Sequence, residues 1–171
     1  MITRKSIREK ASDLLRQCKV TQPPVDVEFI ARGLRIVLRR VGFAKDVSGL
    51  LARKGDMVLL GVNRTDSPTR QRFSIAHEIG HFVLHEPKPI FVDGVTLRFR
   101  NSKSSQGDDR EEIEANAFAA ELLMPEEFVR RDMAELGNVI DENEIGDLAK
   151  RYGVSLQAFV YRLTNLGYID M

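Results

Sequence analysis

The sequence has one cysteine, no tryptophan and only three histidines. With a single thiol, Cys18, an internal disulfide is impossible, and multi-cysteine zinc sites are excluded with it. A reducing compartment, and hence the cytoplasm, is the expected location. Cys18 continues the apolar series Ile7, Ala11, Leu14 and Leu15, so it reads as a small core hydrophobe. An excess of one charge is also missing, with 26 Lys and Arg against 25 Asp and Glu. That balance supplies no global electrostatic footprint for nucleic acid or an anionic membrane. No run of about 18 apolar residues occurs, so no membrane span is expected. The stretch Met1 to Cys18 is charged and amphipathic rather than built like a signal peptide.

What is present is enough apolar content for a core. The chain has 171 residues, 43% of them hydrophobic, which predicts one domain over 1–171. Thr3 caps a first helix to about Cys18, punctuated by Pro23-Pro24. A short second helix runs from about Val25 to Gly33. Arg35 to Val41, Val47 to Ala52 and Met57 to Val62 are aliphatic or β-branched runs with short connections. They predict a three-stranded antiparallel meander. Ser67-Pro68 then opens a helix that ends before Pro87. Ile90 to Arg100 suits a hairpin about Asp93-Gly94. Asn101 to Gly107 has the composition of a mobile loop, the kind that serves as a lid. Asp109 with Glu112 makes a capping-box pattern for a helix to about Met124, and Pro125 starts another, ending near Gly137. Asp141 with Glu144, and then Ser155, open the last two helices.

All three histidines fall in the run His77-Glu78-Ile79-Gly80-His81-Phe82-Val83-Leu84-His85. Its start spells HExxH. Residues four apart on a helix share one face, about 6 Å apart along the axis. His77 and His81 can therefore share one tetrahedral ion at about 2.0–2.1 Å from each ring nitrogen. Glu78 can then act on a water in the open position as general base. The run predicts metal-assisted hydrolysis. Gly80, costly inside a helix, implies close approach of another backbone or of substrate, or plain close packing.

His85 does not complete the site, because the helix rises about 12 Å from His77 to His85. The glycine turn that brings in a third histidine in metzincins is absent. His85 is expected beside the ligands, facing substrate, or as a cation at the helix end. With no other histidine and no second cysteine, the remaining ligand must be a carboxylate. Glu111, Glu112 and Glu114 stand on one predicted helix. Ala115, Ala119 and Leu122 define its buried stripe, with Glu112 and Asn116 on the border. Glu114 points more to one side, and Glu111 is not excluded by phase. Glu112 is favoured, because Asn116 one turn later can hydrogen-bond a ligand histidine and fix its tautomer.

Together, His77 to His81 and the stretch from Glu112 to Pro125 (Glu-Ile-Glu-Ala-Asn-Ala-Phe-Ala-Ala-Glu-Leu-Leu-Met-Pro) resemble the ImmA/IrrE family of metallo-endopeptidases. Arg70 to Ala76, Pro24 to Glu28 and Arg162 to Gly167 are similar to family elements as well. The resemblance implies an α+β fold: a compact zincin-like domain with the three-stranded antiparallel sheet, metal-binding helices and a C-terminal helical, helix-turn-helix-like segment. Its zinc-binding core would occupy about 20–125 and the helical subregion about 126–171. One zinc ion per chain would be held by His77, His81 and Glu112, with Glu78 as catalytic base. Family members are typically encoded in mobile elements, stress-response loci or toxin–antitoxin-like pairs. Their usual target is a helix-turn-helix repressor, which for this chain would be a separate polypeptide.

Further expectations concern substrate. The strand Met57 to Val62 precedes the metal helix and is expected at a sheet edge, receiving an extended peptide by β-addition. His85, Tyr161 and Arg162 are the candidates for facing substrate or stabilising an oxyanion. Leu148 to Leu163 has helix-turn-helix phrasing, with Gly153 in the turn and Ser155 opening the second helix. That helix carries Leu156, Ala158, Phe159, Val160 and Leu163 and no dense basic face, so direct DNA binding is not expected. The alternative is a non-catalytic zinc-binding transcriptional regulator acting through protein or DNA contact. A purely structural zinc would want a fourth protein ligand, and none is evident. Nothing in the sequence sets an oligomeric state.

Overall fold

The structure is a computed structural model that describes residues 2–44, 47–85, 91–92, 95–99, 106–136 and 141–170. Thr3 accepts the amide of Ser6 and starts α1 (Arg4–Gln17), which buries Ile7, Ala11, Leu14 and Leu15. Cys18 caps its end, half-buried against the same core, and burial pushes its thiol up. Asp26 caps α2 (Val27–Gly33) through the amide of Phe29. The chain leaves α2 through Leu34 and Arg35, and Arg35, not Gly33, takes the left-handed conformation, with φ 59°.

The fold is α+β, but the sheet is not the antiparallel meander that the short loops predict. Its strands are β1 (Ile36–Val41), β2 (Gly49–Lys54), β3 (Met57–Asn63), β4 (Phe91–Val92) and β5 (Val95–Phe99), in the order β1-β3-β2-β5-β4. β1 and β3 are parallel, with Ile36 opposite Val58 and Val41 opposite Asn63. β2 and β3 form the expected tight hairpin, closed at Gly55, whose φ is +56°. The parallel pair arises without a long crossover because β2 lies on the far side of β3. The chain runs up, down and up again, and the connection after β1 passes over one strand position, about 10 Å for two strand spacings. Loop length excluded a direct parallel connection; it did not exclude an inserted neighbour. As a result β3 is internal, hydrogen-bonded on both sides, and Met57 to Val62 is not an edge. The hairpin of β4 and β5 extends the sheet beyond β2.

The helices that follow are α3 (Pro68–Leu84), α4 (Gln106–Leu123), α5 (Glu126–Leu136), α6 (Glu142–Tyr152) and α7 (Leu156–Asn165). Ser67 accepts from the amide of Arg70 with Pro68 just inside α3, as the sequence predicts. Every residue from Ser74 to His81 is buried, so the middle of α3 is enclosed on all sides, against β2, β3 and α4. A helix enclosed all round is a core element. α4 begins at Gln106, three residues before the expected Asp109. Glu112 is therefore interior to α4 and is not a capping residue. Residues 101–105 of the expected mobile loop, and the turn at 93–94, lie outside the described residues.

Among the described residues, one apolar cluster joins α1, α2, the sheet and the C-terminal helices through Ile7, Ile30, Leu60, Ile79, Phe118 and Phe159. Arg72, half-buried, and Arg162, buried, tie the C-terminal helices down. Arg72 of α3 donates to the carbonyls of Val25 at 2.9 Å and Gly153 at 3.0 Å. Arg162 of α7 donates to the carbonyl of Met124 at 3.0 Å and to both oxygens of Glu121 at 3.0 and 2.7 Å. Among the described residues, no helix is long and apolar enough to cross a membrane.

Candidate metal centre

One α3 face carries His77 and His81 a turn apart, as helix geometry requires. Their Nε2 atoms lie 3.0 Å from one another. The Glu112 carboxylate, on α4, reaches both: one oxygen is 3.2 Å from His77 Nε2, the other 2.9 Å from His81 Nε2. A tetrahedral ion with bonds of about 2.05 Å would separate its ligand atoms by about 3.3 Å. The spacing fits.

The chemistry of the donor set fits as well. His77 Nδ1 is 2.9 Å from Asn116 Oδ1, an acceptor, so the ring proton sits on Nδ1 and the Nε2 lone pair faces the cluster. That lone pair meets carboxylate oxygens and a second imidazole nitrogen, an electron-rich pocket that a cation neutralises. Burial alone would raise the Glu112 pKa, but where the two imidazoles carry a proton on Nε2 their hydrogen bonds and charge hold it far below the usual carboxylate range, the proton standing where a cation would. The trio of His77, His81 and Glu112 is closed on the histidine side and open at the carboxylate. His77 and His81 side chains are 0% and 4% exposed, whereas Glu112 is 29% exposed.

α4 reaches this close because position 80 has no side chain. A Cβ on Gly80 would lie 3.1 Å from the Ala115 carbonyl oxygen and 3.2 Å from the Ala115 Cα. Of the readings open for Gly80, close approach of another backbone is the one realised.

Glu78 of α3 is buried, 2% exposed, with its carboxylate against the start of β2. A Cβ on Gly49 would fall 2.6 Å from Glu78 Oε1, so the carboxylate occupies space that any other residue at 49 would fill. Two contacts hold that end of β2. Arg70 donates to Ser48 Oγ at 2.8 and 3.1 Å, and Asn63 Nδ2 donates to the Val47 carbonyl at 3.0 Å. Gly49, Ser48 and Asn63 escaped the sequence reading, which had no signal for a glycine that matters only through a residue 29 positions later.

His85 caps α3 and lies outside the trio of His77, His81 and Glu112. Its side chain is buried, with Nδ1 at 3.2 Å from His81 Nδ1 and Nε2 at 3.0 Å from Glu114 Oε2. Glu114, set aside by helical phase, is thereby drawn into the cluster, and Ile2 donates its amide to the other oxygen at 2.8 Å. Burial opposes ionisation of Glu114, but the Ile2 amide and His85 hold its pKa below the ordinary value. Glu111 lies within a second possible group with His81 and His85. The structure does not bring Tyr161 or Arg162 to the histidines. Arg162 is buried and committed to Glu121 and Met124, and Tyr161 is 61% exposed on the outer side of α7. From Glu112 to Glu121, α4 rises by about 13 Å, which sets Arg162 well away from the trio.

Comparison with known proteins decides the lineage. The sequence model of the IrrE N-terminal-like domain matches residues 32–164. The chain belongs to the ImmA/IrrE family. It is 28% identical over 145 residues to the radiation response metalloprotease IrrE of Deinococcus radiodurans. That alignment covers 83% of this chain but 37% of the relative, so this ImmA/IrrE chain spans well under half the length of that protein. The fold is similar to that of a Mycobacterium tuberculosis transcriptional regulator, with TM-score 0.62 and 16% identity, over 94% of this chain and 46% of that one. The family is one of metalloproteases, and the His77, His81 and Glu112 group is one that could hold its metal ion.

Proposed function

We propose that this chain is a zinc-dependent endopeptidase of the zincin type, with His77, His81 and Glu112 as zinc ligands and Glu78 as catalytic base. The observation that carries the reading is the convergence of two imidazole Nε2 atoms and one carboxylate within 3.2 Å, beside a buried glutamate. Zinc is the choice among metals because a compact two-histidine, one-carboxylate set with an open position is its usual hydrolytic site. When bound, the ion would polarise the scissile carbonyl and lower the pKa of a coordinated water towards about 7. Glu78 takes the proton of the attacking water and delivers it to the leaving amine nitrogen. Asn116 keeps His77 in the tautomer that presents Nε2. The substrate approaches from the Glu112 side, where the trio is open.

The reading takes a cytoplasmic helix-turn-helix repressor, or an antitoxin-like partner, as the protein substrate, as the family resemblance implies. A mobile-element or stress-response setting goes with it. Glu78→Gln is expected to keep zinc and abolish cleavage of a co-expressed neighbouring repressor. Normal cleavage by that variant would overturn the catalytic assignment.

A regulator acting by direct DNA contact has less support. The α6–α7 pair has a glycine turn, Gly153, in left-handed conformation, yet Arg72 holds that turn against α3. The lone arginine of α7, Arg162, is buried, so the would-be recognition helix presents no basic face. Likeness to a transcriptional regulator at 16% identity speaks for the fold and not for DNA binding. A salt-dependent shift of promoter DNA by the isolated protein would reverse this preference.

A further inference from the structure

We propose that Glu114, acting through His85, is a positioning residue for His81, and that the Ile2 amide anchors the far end of this relay. The inference rests on the metal-centre reading and adds residues to it. A carboxylate only accepts hydrogen bonds, so in the 3.0 Å contact with Glu114 Oε2 the donor is His85 Nε2. A neutral imidazole with its proton on Nε2 has its lone pair on Nδ1. That lone pair faces His81 Nδ1 at 3.2 Å, so His81 donates, and its own proton sits on Nδ1. His81 Nε2 is then an acceptor, turned to His77 Nε2 and Glu112. The metal end fixes the same polarity: the metal reading leaves His81 Nε2 without a proton, so its proton is on Nδ1 and His85, as the neutral tautomer, accepts it.

Burial keeps water from competing, with His85 and Glu114 side chains only 5% and 11% exposed. The second carboxylate oxygen is occupied by the Ile2 amide at 2.8 Å, which fixes the rotation of the carboxyl group. The two ligand histidines are thus oriented by different devices from the same helix. Asn116 holds His77 directly, whereas Glu114 holds His81 through an intervening ring. A carboxylate behind a ligand histidine raises ligand basicity as well as fixing its orientation.

The test uses the full chain, 15N-labelled and loaded with zinc. A scalar coupling between His81 Nδ1 and His85 Nδ1, transmitted across their hydrogen bond, is expected in the unmodified protein. His85→Phe and Glu114→Ala should each weaken zinc binding by about 10- to 100-fold in competition with a chromophoric chelator. His85→Asn, which keeps an acceptor near the Nδ1 position, should restore most of that loss. Absence of the coupling, with the His85 proton found on Nδ1, would overturn the relay even if both variants misfold. So would unchanged zinc affinity in His85→Phe, or two zinc ions per chain, the second between His81, His85 and Glu111. Glu112→Ala separates the two readings: if it retains zinc with unchanged affinity, the metal centre itself is wrong.

Discussion

Gly80 and Ala115 face one another across the contact of α3 and α4 so closely that a methyl group on Gly80 would sit 3.1 Å from the Ala115 carbonyl oxygen. This is backbone against backbone, and a rigid carbonyl does not swing aside as a side-chain tip would. The contact sets the distance at which Glu112 and Asn116 stand from His77 and His81. Gly80→Ala should spread the two helices, with an overpacking cost of about 1–3 kcal/mol. Zinc affinity should fall with it. Thermal melts of the metal-free protein and chelator competition measure the two effects, and no change in either would contradict this account of the glycine.

Gly49 bears on Glu78, the proposed base, rather than on the proposed ligands. A Cβ there would meet Glu78 Oε1 at 2.6 Å, and the carboxylate, at the end of a flexible side chain, would swing away. Gly49→Ala is therefore expected to keep its zinc and to lower kcat for a cleaved partner by at least an order of magnitude, within the range for loss of a general base. Stoichiometric zinc with unimpaired turnover would show that Glu78 does not need this space.

Arg162 should matter for stability and not for chemistry. It is 6% exposed and makes paired bonds to Glu121 and one to the Met124 carbonyl. Removing one member of a buried ion pair typically costs about 3–5 kcal/mol. Arg162→Met is expected to lower the melting temperature while leaving zinc affinity and kcat per folded molecule as they were. A selective loss of kcat with an unchanged melt would return Arg162 to the list of substrate-facing residues.

Tyr152 makes a pH prediction. Burial, then the hydrogen bond to Asp132 at 2.7 Å and its charge, push the Tyr152 hydroxyl well above the ordinary tyrosine range. A folded-state value above the unfolded one means that the folded protein keeps a proton the unfolded chain releases. The stabilisation is complete below about pH 10 and is lost as pH rises beyond it. Tyr152→Phe should cost about 1.5–3 kcal/mol at neutral pH, the usual worth of a hydrogen bond to a charged group. It should also flatten the alkaline fall in stability. Denaturant titrations of both proteins between pH 7 and about pH 11 give the comparison.

Much of the site was legible because its central part is local. HExxH spacing needs only the helix repeat, and the same repeat removed His85 from the ligands by distance alone. Phase against the apolar stripe of Ala115, Ala119 and Leu122 set Glu114 to one side, and Asn116 one turn later favoured Glu112 over Glu111. Capping residues Thr3, Ser67, Asp141 and Ser155 announced their helices for a similar reason, since each bonds an amide two or three residues away.

What the sequence by itself determined, then, is the set of relations that one helical turn or one short loop can fix: two histidines on one face, a glutamate beside them, and the helix starts. Tertiary structure alone decided the rest. β3 went to the middle of the sheet because strand order depends on which neighbour inserts, a choice no loop length encodes. Gly49, Glu114 and the Ile2 amide acquired their places only when β2 and α4 packed onto α3, since each acts through a residue distant in sequence. Arg162 was buried for the same reason. Local pattern reads the repeat of a helix, and packing determines what stands against it.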